Sequence, residues 1–139
     1  KVKTPTLAGK YSEEFNIYAG PKETLQNSIN LFKSVASENG RDEKSLEITT
    51  ACPPVVGLTK ESVDNSLITA AKALIQPEDE IAKNWQERSY LYGTPEDVVK
   101  TLSMWQEVGI EAVYLQLLDL EPSKRDESVE VIQKAINLL

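Results

Sequence analysis

The chain has 139 residues, with 15 basic and 22 acidic side chains, a formal net charge of −7 and no histidine. This length gives one domain with a real core but excludes a complete eight-stranded α/β barrel, which takes about 250 residues. The acidic balance excludes a nucleic-acid binder, because such a protein needs a basic face for the phosphates. Without histidine, the chain itself supplies no Ser-His or Cys-His catalytic pair and no imidazole metal ligand.

The chain begins at Lys1, its only methionine is Met104, and its only cysteine is Cys52. We therefore expect a processed product or a fragment of a longer protein. A single cysteine cannot form an internal disulfide, which fits a reducing cytoplasm. No segment has the roughly 20 apolar residues that cross a bilayer, so we expect no membrane partner.

The first strand–helix unit covers about residues 1–40. Between residues 4 and 18, a short helical pattern precedes an apolar patch, which predicts a helix and then a strand ending near Tyr18. Pro21 suits the first position of the next helix, which carries one apolar stripe and ends at Asn39-Gly40. The short helical pattern comprises Leu7, Ala8 and Tyr11, and the stripe comprises Leu25, Ile29, Phe32, Val35 and Ala36.

The second unit covers about residues 41–92. The β-branched segment 46–52 predicts a strand, and Pro53-Pro54 stops it. Thr59 then caps a helix whose apolar positions are Val63, Leu67, Ile68, Ala71 and Leu74. Ile81 and Trp85 indicate a loose helix after an acidic, exposed excursion. The surroundings of Trp85 fit either a packed helix or a lid and partner surface.

The third unit covers about residues 93–139. Thr94 caps a helix through its hydroxyl, Pro95 takes the first helical position, and Asp97 completes a capping box. The apolar run 112–118 predicts a strand that is covered on both faces, as in a parallel sheet. The buried stripe before it comprises Val98, Leu102, Trp105 and Val108, and the stripe of a final helix comprises Val129, Ile132, Ala135, Ile136 and Leu139.

Strands that alternate with helices predict a parallel α/β sheet with right-handed crossovers. The periodicity leaves open whether these units form part of a barrel or a small open sheet. In both folds the functional groups lie at the carboxyl ends of the strands. That rule selects six residues, two after each strand: Asn16 and Tyr18, Thr50 and Cys52, and Gln116 and Asp119.

Each of these residues also has a purely structural interpretation. Asn16 is suited to bridging the backbone, and Asp119 to a turn or helix cap. Cys52 is expected to act as a small buried hydrophobe. The amide of Gln116 must find a partner if it is buried, so it faces either a ligand cavity or a polar neighbour. Trp105 falls on the helical stripe and is expected in the core.

Four segments resemble the bacterial-luciferase-like oxidoreductases, especially the branch assigned to a deazaflavin coenzyme, and they follow one another in the order that the family has. They are AGKYSEEFN at 8–16, NGRDEKSLE at 39–47, GTPEDVV at 93–99 and GIEAVYLQ at 109–116. The resemblance implies that the chain is the C-terminal part of an eight-stranded α/β barrel and holds roughly its last three strands. It also implies that most of the cofactor site lies in earlier strands.

The resemblance implies a monooxygenase or hydride-transfer enzyme, with FMN or an 8-hydroxy-5-deazaflavin coenzyme and a small-molecule substrate. Carried over by position, Glu14, Asn16 and Gln116 are expected near the mouth of the barrel as cofactor-binding residues, and the isolated chain is expected to be inactive. Because a three-stranded piece leaves open edges, we expect a homo-oligomer. The alternative is a non-enzymatic α/β module that binds a partner through the Trp85 region.

Overall fold

The computed structural model describes residues 2–118 and 121–139. Five strands lie in two parallel sheets, one with the order β1-β2-β5 and one with β3 beside β4. The strands are β1 (Glu14–Tyr18), β2 (Glu47–Cys52), β3 (Val55–Val56), β4 (Tyr92–Gly93) and β5 (Ala112–Leu115). The helices are α1 (Lys3–Tyr11), α2 (Lys22–Glu38), α3 (Lys60–Leu74), α4 (Glu78–Glu87), α5 (Pro95–Val108) and α6 (Pro122–Ile136), with a 3-10 turn at Glu43–Ser45. The predicted alternation of parallel strands and helices is confirmed.

The three-stranded sheet is covered by helices on one face only. Phe15, Ile17 and Ile48 are buried against the helices, whereas Glu14 and Asn16, which alternate with them, are exposed. The expectation that β5 is covered on both faces is wrong, because Tyr114 lies on the open face and is 53% exposed. The strand also ends at Leu115, so the last three residues of the apolar run lie beyond it.

Two apolar clusters hold the structure together. The larger one includes Phe32 and Trp105 and packs the helices against the three-stranded sheet, which confirms Trp105 as a core residue. The smaller one comprises Val55, Ala70, Ile81 and Trp85, with partly buried neighbours around it. The indole Nε1 of Trp85 donates to the carbonyl of Pro53 at 2.7 Å, so Trp85 is a packed core residue and the lid interpretation is wrong.

The predicted helix ends are largely confirmed. The hydroxyl of Thr59 accepts from the N–H of Ser62, and the carboxylate of Asp97 accepts from the N–H of Thr94 at 3.4 Å. The capping box at the start of α5 is therefore present. The start of α2 is shifted by one residue, because Pro21 has an extended ψ of 141° and precedes the first helical residue, Lys22.

The apolar stripes of the two terminal helices differ from the prediction. In α6, Val131 and Ala135 are buried with Ile132, while Val129 and Ile136 point to solvent. The buried face is therefore rotated toward Val131, which the predicted stripe omitted. In α1, Leu7 and Tyr11 are likewise exposed, and the buried residues are Pro5, Ala8 and Gly9.

Helix α1 is held by close packing and by one arginine. A Cβ at Gly9 would lie 2.6 Å from the carbonyl oxygen of Phe32, so glycine is what lets α1 approach α2 this closely. The guanidinium of Arg41 donates to the carbonyls of Ala8, Gly9 and Ser12 at 3.3, 2.9 and 2.6 Å. The carbonyl of Ala8 also accepts from the N–H of Ser12 at 2.8 Å, so Arg41 adds a second donor there and supplies donors to Gly9 and Ser12 at the end of the helix.

Candidate functional site

The candidate site is the open face of the three-stranded sheet, where a hydrogen-bonded polar cluster spans two strands. Asn16 lies beside Thr49 in the register, and its Nδ2 donates to the Thr49 hydroxyl at 2.8 Å. The same hydroxyl donates to Oε1 of Glu14 at 2.5 Å. Thr49 is completely buried although it lies on the open face. The cluster is thus ordered within this chain.

Tyr114 of β5 joins this cluster from the opposite side of β2. The charge of Glu14, followed by a hydrogen bond to the same carboxylate, raises the pKa of the Tyr114 phenol. The Tyr114 phenol therefore lies near Glu14 on the open face, with β2 between their two strands.

The three residues expected to bind a cofactor lie at different heights along the sheet. Glu14 begins β1 and pairs with Glu47, so it lies at the amino ends of the strands rather than at the mouth. Asn16 lies in the middle of β1. Gln116 follows β5 at the carboxyl ends, where its N–H donates to the carbonyl of Cys52 at 3.0 Å. Its side chain is exposed, so water can satisfy the amide.

The carboxyl-end rule also selected residues that the structure turns away from the open face. Cys52 is fully buried in the main core, and burial raises the pKa of its thiol to about 11. Thr50 is also buried, and its hydroxyl donates to the carbonyl of Ile17 at 2.8 Å. The interpretation of Cys52 as a buried hydrophobe is confirmed. Asp119 lies outside the described residues.

A second polar feature lies just beyond the carboxyl ends of β2 and β5. It is a small hollow of about 20 Å³ between α3 and the start of α6. Its polar lining residues are Ser66, Thr69, Lys124, Arg125 and Ser128. Lys124 pairs with Glu121 at 3.6 Å. This hollow was not predicted from the sequence, although hydroxyl and basic side chains at the start of a helix are residues that favour anion binding.

Residues 2–118 and 121–139 contain no group of three or more His, Cys, Asp or Glu side chains placed to hold a metal ion. Within the same residues, no helix has the length and apolar character needed to span a membrane.

The fold of the chain is found in solved structures of other proteins. No protein-family profile matches the chain, and no curated protein does. Among solved structures, an F420-dependent secondary alcohol dehydrogenase matches 96% of this chain and 46% of its own, with a TM-score of 0.69 and 22% identity. The F420-dependent tetrahydromethanopterin reductase of Methanopyrus kandleri matches 99% of this chain and 48% of its own, with a TM-score of 0.68 and 13% identity. The EDTA monooxygenase of Chelativorans sp. BNC1 matches 93% of this chain and 43% of its own, with a TM-score of 0.67 and 16% identity.

The chain therefore has the fold of part of the α/β barrel that these structures share. It spans slightly less than half the length of these structures. The barrel alternative is thereby confirmed over the small open sheet. In a barrel the open face of β1, β2 and β5 lines the interior, which side chains fill, and ligands bind at the carboxyl ends of the strands.

Proposed function

We propose that this chain is the C-terminal part of a luciferase-like oxidoreductase that acts on a small-molecule substrate with reduced FMN or a reduced deazaflavin. The observation that carries the proposal is the match of almost the whole chain to F420-dependent and other luciferase-like enzymes. When bound, such a cofactor supplies a hydride or activates oxygen, and the protein supplies binding and orientation.

The described residues suit such a cofactor in two places. The open face offers Asn16 and the phenols of Tyr18 and Tyr114 to a flat ring system. The hollow at the carboxyl ends offers Arg125 and nearby hydroxyls, which are the groups that hold a phosphate. Gln116 lies between these two places along the strand direction, and Glu14 acts from the amino end by accepting the hydrogen bond of the Thr49 hydroxyl.

The proposal is tested by anaerobic titration of the longest natural chain that contains this sequence with reduced FMN and with a reduced deazaflavin coenzyme, followed by fluorescence. We expect saturable binding of one of them. Arg125→Gln is expected to weaken binding, whereas Arg88→Gln, which changes an exposed arginine at the end of α4, is the matched control. Absence of binding by both cofactors contradicts the enzyme proposal. The non-enzymatic alternative relied on an accessible Trp85, which is buried.

We also propose that the chain acts in the cytoplasm and self-associates through its outer strands. β1 and β5 each pair on one side only within the described residues. Beside β5 lies an open apolar hollow of about 610 Å³, lined in part by Leu102, Val113, Ile136 and Leu139. Such edges favour pairing with another chain. Sedimentation is expected to show dimers or larger species, and a compact monomer at high micromolar concentration contradicts this proposal.

A further inference from the structure

We propose that the apolar hollow beside β5 binds a small apolar molecule that carries a carboxylate. The hollow has a volume of about 610 Å³, and small-molecule sites usually measure about 300–1,000 Å³. Gly109 and Glu111 line it and precede β5, so it lies at the amino ends of the strands. The proposed places for the cofactor are the open face and the carboxyl ends. This hollow is therefore a separate site, and the inference does not rest on the proposed function.

A buried hydrogen-bond donor lines the hollow. Trp105 is only 2% exposed, and its Nε1 is the one buried side-chain nitrogen or oxygen in residues 2–118 and 121–139 that has no hydrogen-bond partner. The other indole of the chain is satisfied, because Nε1 of Trp85 donates to the carbonyl of Pro53. Buried polar groups normally have a partner, and an indole N–H can only donate. The molecule that fits beside Trp105 must therefore carry an acceptor.

A lysine without a counter-ion lines the same hollow. Lys33 extends from α2, is half-buried, and forms no ion pair with any residue that the structure describes. Its Nζ lies 4.0 Å from the position that a Cβ on Gly109 would take, so the ammonium stands at the turn between α5 and β5. A partly desolvated cation favours a nearby anion. A carboxylate supplies both the negative charge that suits Lys33 and the acceptor that suits Trp105.

The remaining wall selects an apolar body for the ligand. Leu102 and Val113 form the floor, and Ile136 and Leu139 of the chain's last turns lie at the rim, more than half exposed. A ligand that covers these side chains removes apolar surface from water, which favours binding. Glu111 is the only other charged side chain that lines the hollow, and it is exposed. Its charge opposes an anion, so its removal should strengthen binding.

The experiment compares 1-naphthoate with 1-naphthamide, which keeps the rings and an acceptor oxygen but has no charge. Calorimetry measures their binding to the longest natural chain that contains this sequence. We expect 1-naphthoate to bind about fivefold more tightly, the upper range for a partly exposed ion pair. Lys33→Gln is expected to remove this preference and Glu111→Gln to increase it. Lys72→Gln, at an exposed position of α3, is the matched control and should leave it unchanged.

Nuclear magnetic resonance of the Trp105 indole proton is a second readout, made on the parent protein. Both probes are expected to shift this proton downfield, whereas naphthalene, which has no acceptor, is expected not to. Trp105→Phe should weaken both probes about fivefold, the usual effect of one hydrogen bond.

Three results would overturn the inference. They are failure of 1-naphthoate to bind, binding that leaves the Trp105 proton unmoved, and a preference for 1-naphthoate that survives Lys33→Gln. Dilution of the protein without any probe is the remaining control. If dilution alone moves the Trp105 proton, a second copy of the chain fills the hollow, and the small-molecule site is refuted.

Discussion

Replacing Arg41 tests whether one side chain holds α1 in place. Its guanidinium donates to three carbonyls at the end of α1, and α1 buries only Pro5, Ala8 and Gly9. A hydrogen bond from a charged donor contributes about 1.5–3 kcal/mol to stability. At a half-buried group, hydrogen bonds to water compensate for part of that contribution when the donor is removed. For Arg41→Met, which keeps an unbranched apolar side chain of similar length, we therefore expect a loss of about 2–3 kcal/mol.

We expect this loss to appear as local opening of α1, because the three carbonyls lie at the end of that helix, while its close packing on α2 at Gly9 is unchanged. Amide hydrogen exchange is the assay, and the expected effect is a fall in protection of α1 by about 30- to 150-fold. Protection of α5, whose core packing does not involve Arg41, should change much less. Arg88→Met is the matched control at an exposed position. If Arg41→Met leaves the protection of α1 at the level of this control, the capping role is refuted.

Three further predictions concern backbone strain and two titrating groups. Ile75 has a left-handed φ of 54° and is 92% exposed, so Ile75→Gly should raise the free energy of unfolding by about 1 kcal/mol in urea titrations; an equal gain from Ile75→Ala, which keeps the Cβ, would contradict this. Burial raises the pKa of the Cys52 thiol to about 11, so it should react with a thiol reagent at pH 8 at least roughly 100-fold more slowly in the native protein than in urea. Comparable reaction rates in the native and the urea-unfolded protein would disprove its burial. Since the folded pKa of Tyr114 is raised, its contribution to stability is present below pH about 10 and is lost as the pH rises further. Tyr114→Phe should flatten that alkaline loss, and unchanged pH dependence would count against an effect of the Glu14 charge on Tyr114.

The strand–helix order was predictable because strong local signals mark most element boundaries. Thr59, Thr94 and Gly109 act where the sequence indicates, since caps and left-handed glycines depend on neighbours close in the chain. The two short strands β3 and β4 were missed. Each has only two residues, and they pair with each other rather than with the main sheet, so no periodic pattern distinguishes them. Which face of α6 is buried also depends on how this helix packs against α5, and the spacing of apolar residues along α6 carries no information about that packing.

The candidate site was predictable only in part. The sequence identifies Asn16 and Glu14 through the family resemblance, but their connection through Thr49 depends on the register of β1 and β2. Tyr114 was hidden within an apolar run that predicted burial on both faces. Its exposure follows from the absence of helices on one side of the sheet, which is a property of the assembled layers rather than of any local segment.

The small apolar cluster around Trp85 has a consequence for how the chain folds. β2 and β5 are neighbours in the sheet, yet α3, α4 and α5 intervene between them in the sequence. Closing so long a connection is entropically costly and slow. The Val55, Ala70, Ile81 and Trp85 cluster gathers much of this connection into a compact subdomain of its own. Early condensation of that subdomain would shorten the effective loop, so that β5 meets β2 as if the two were far closer in the chain.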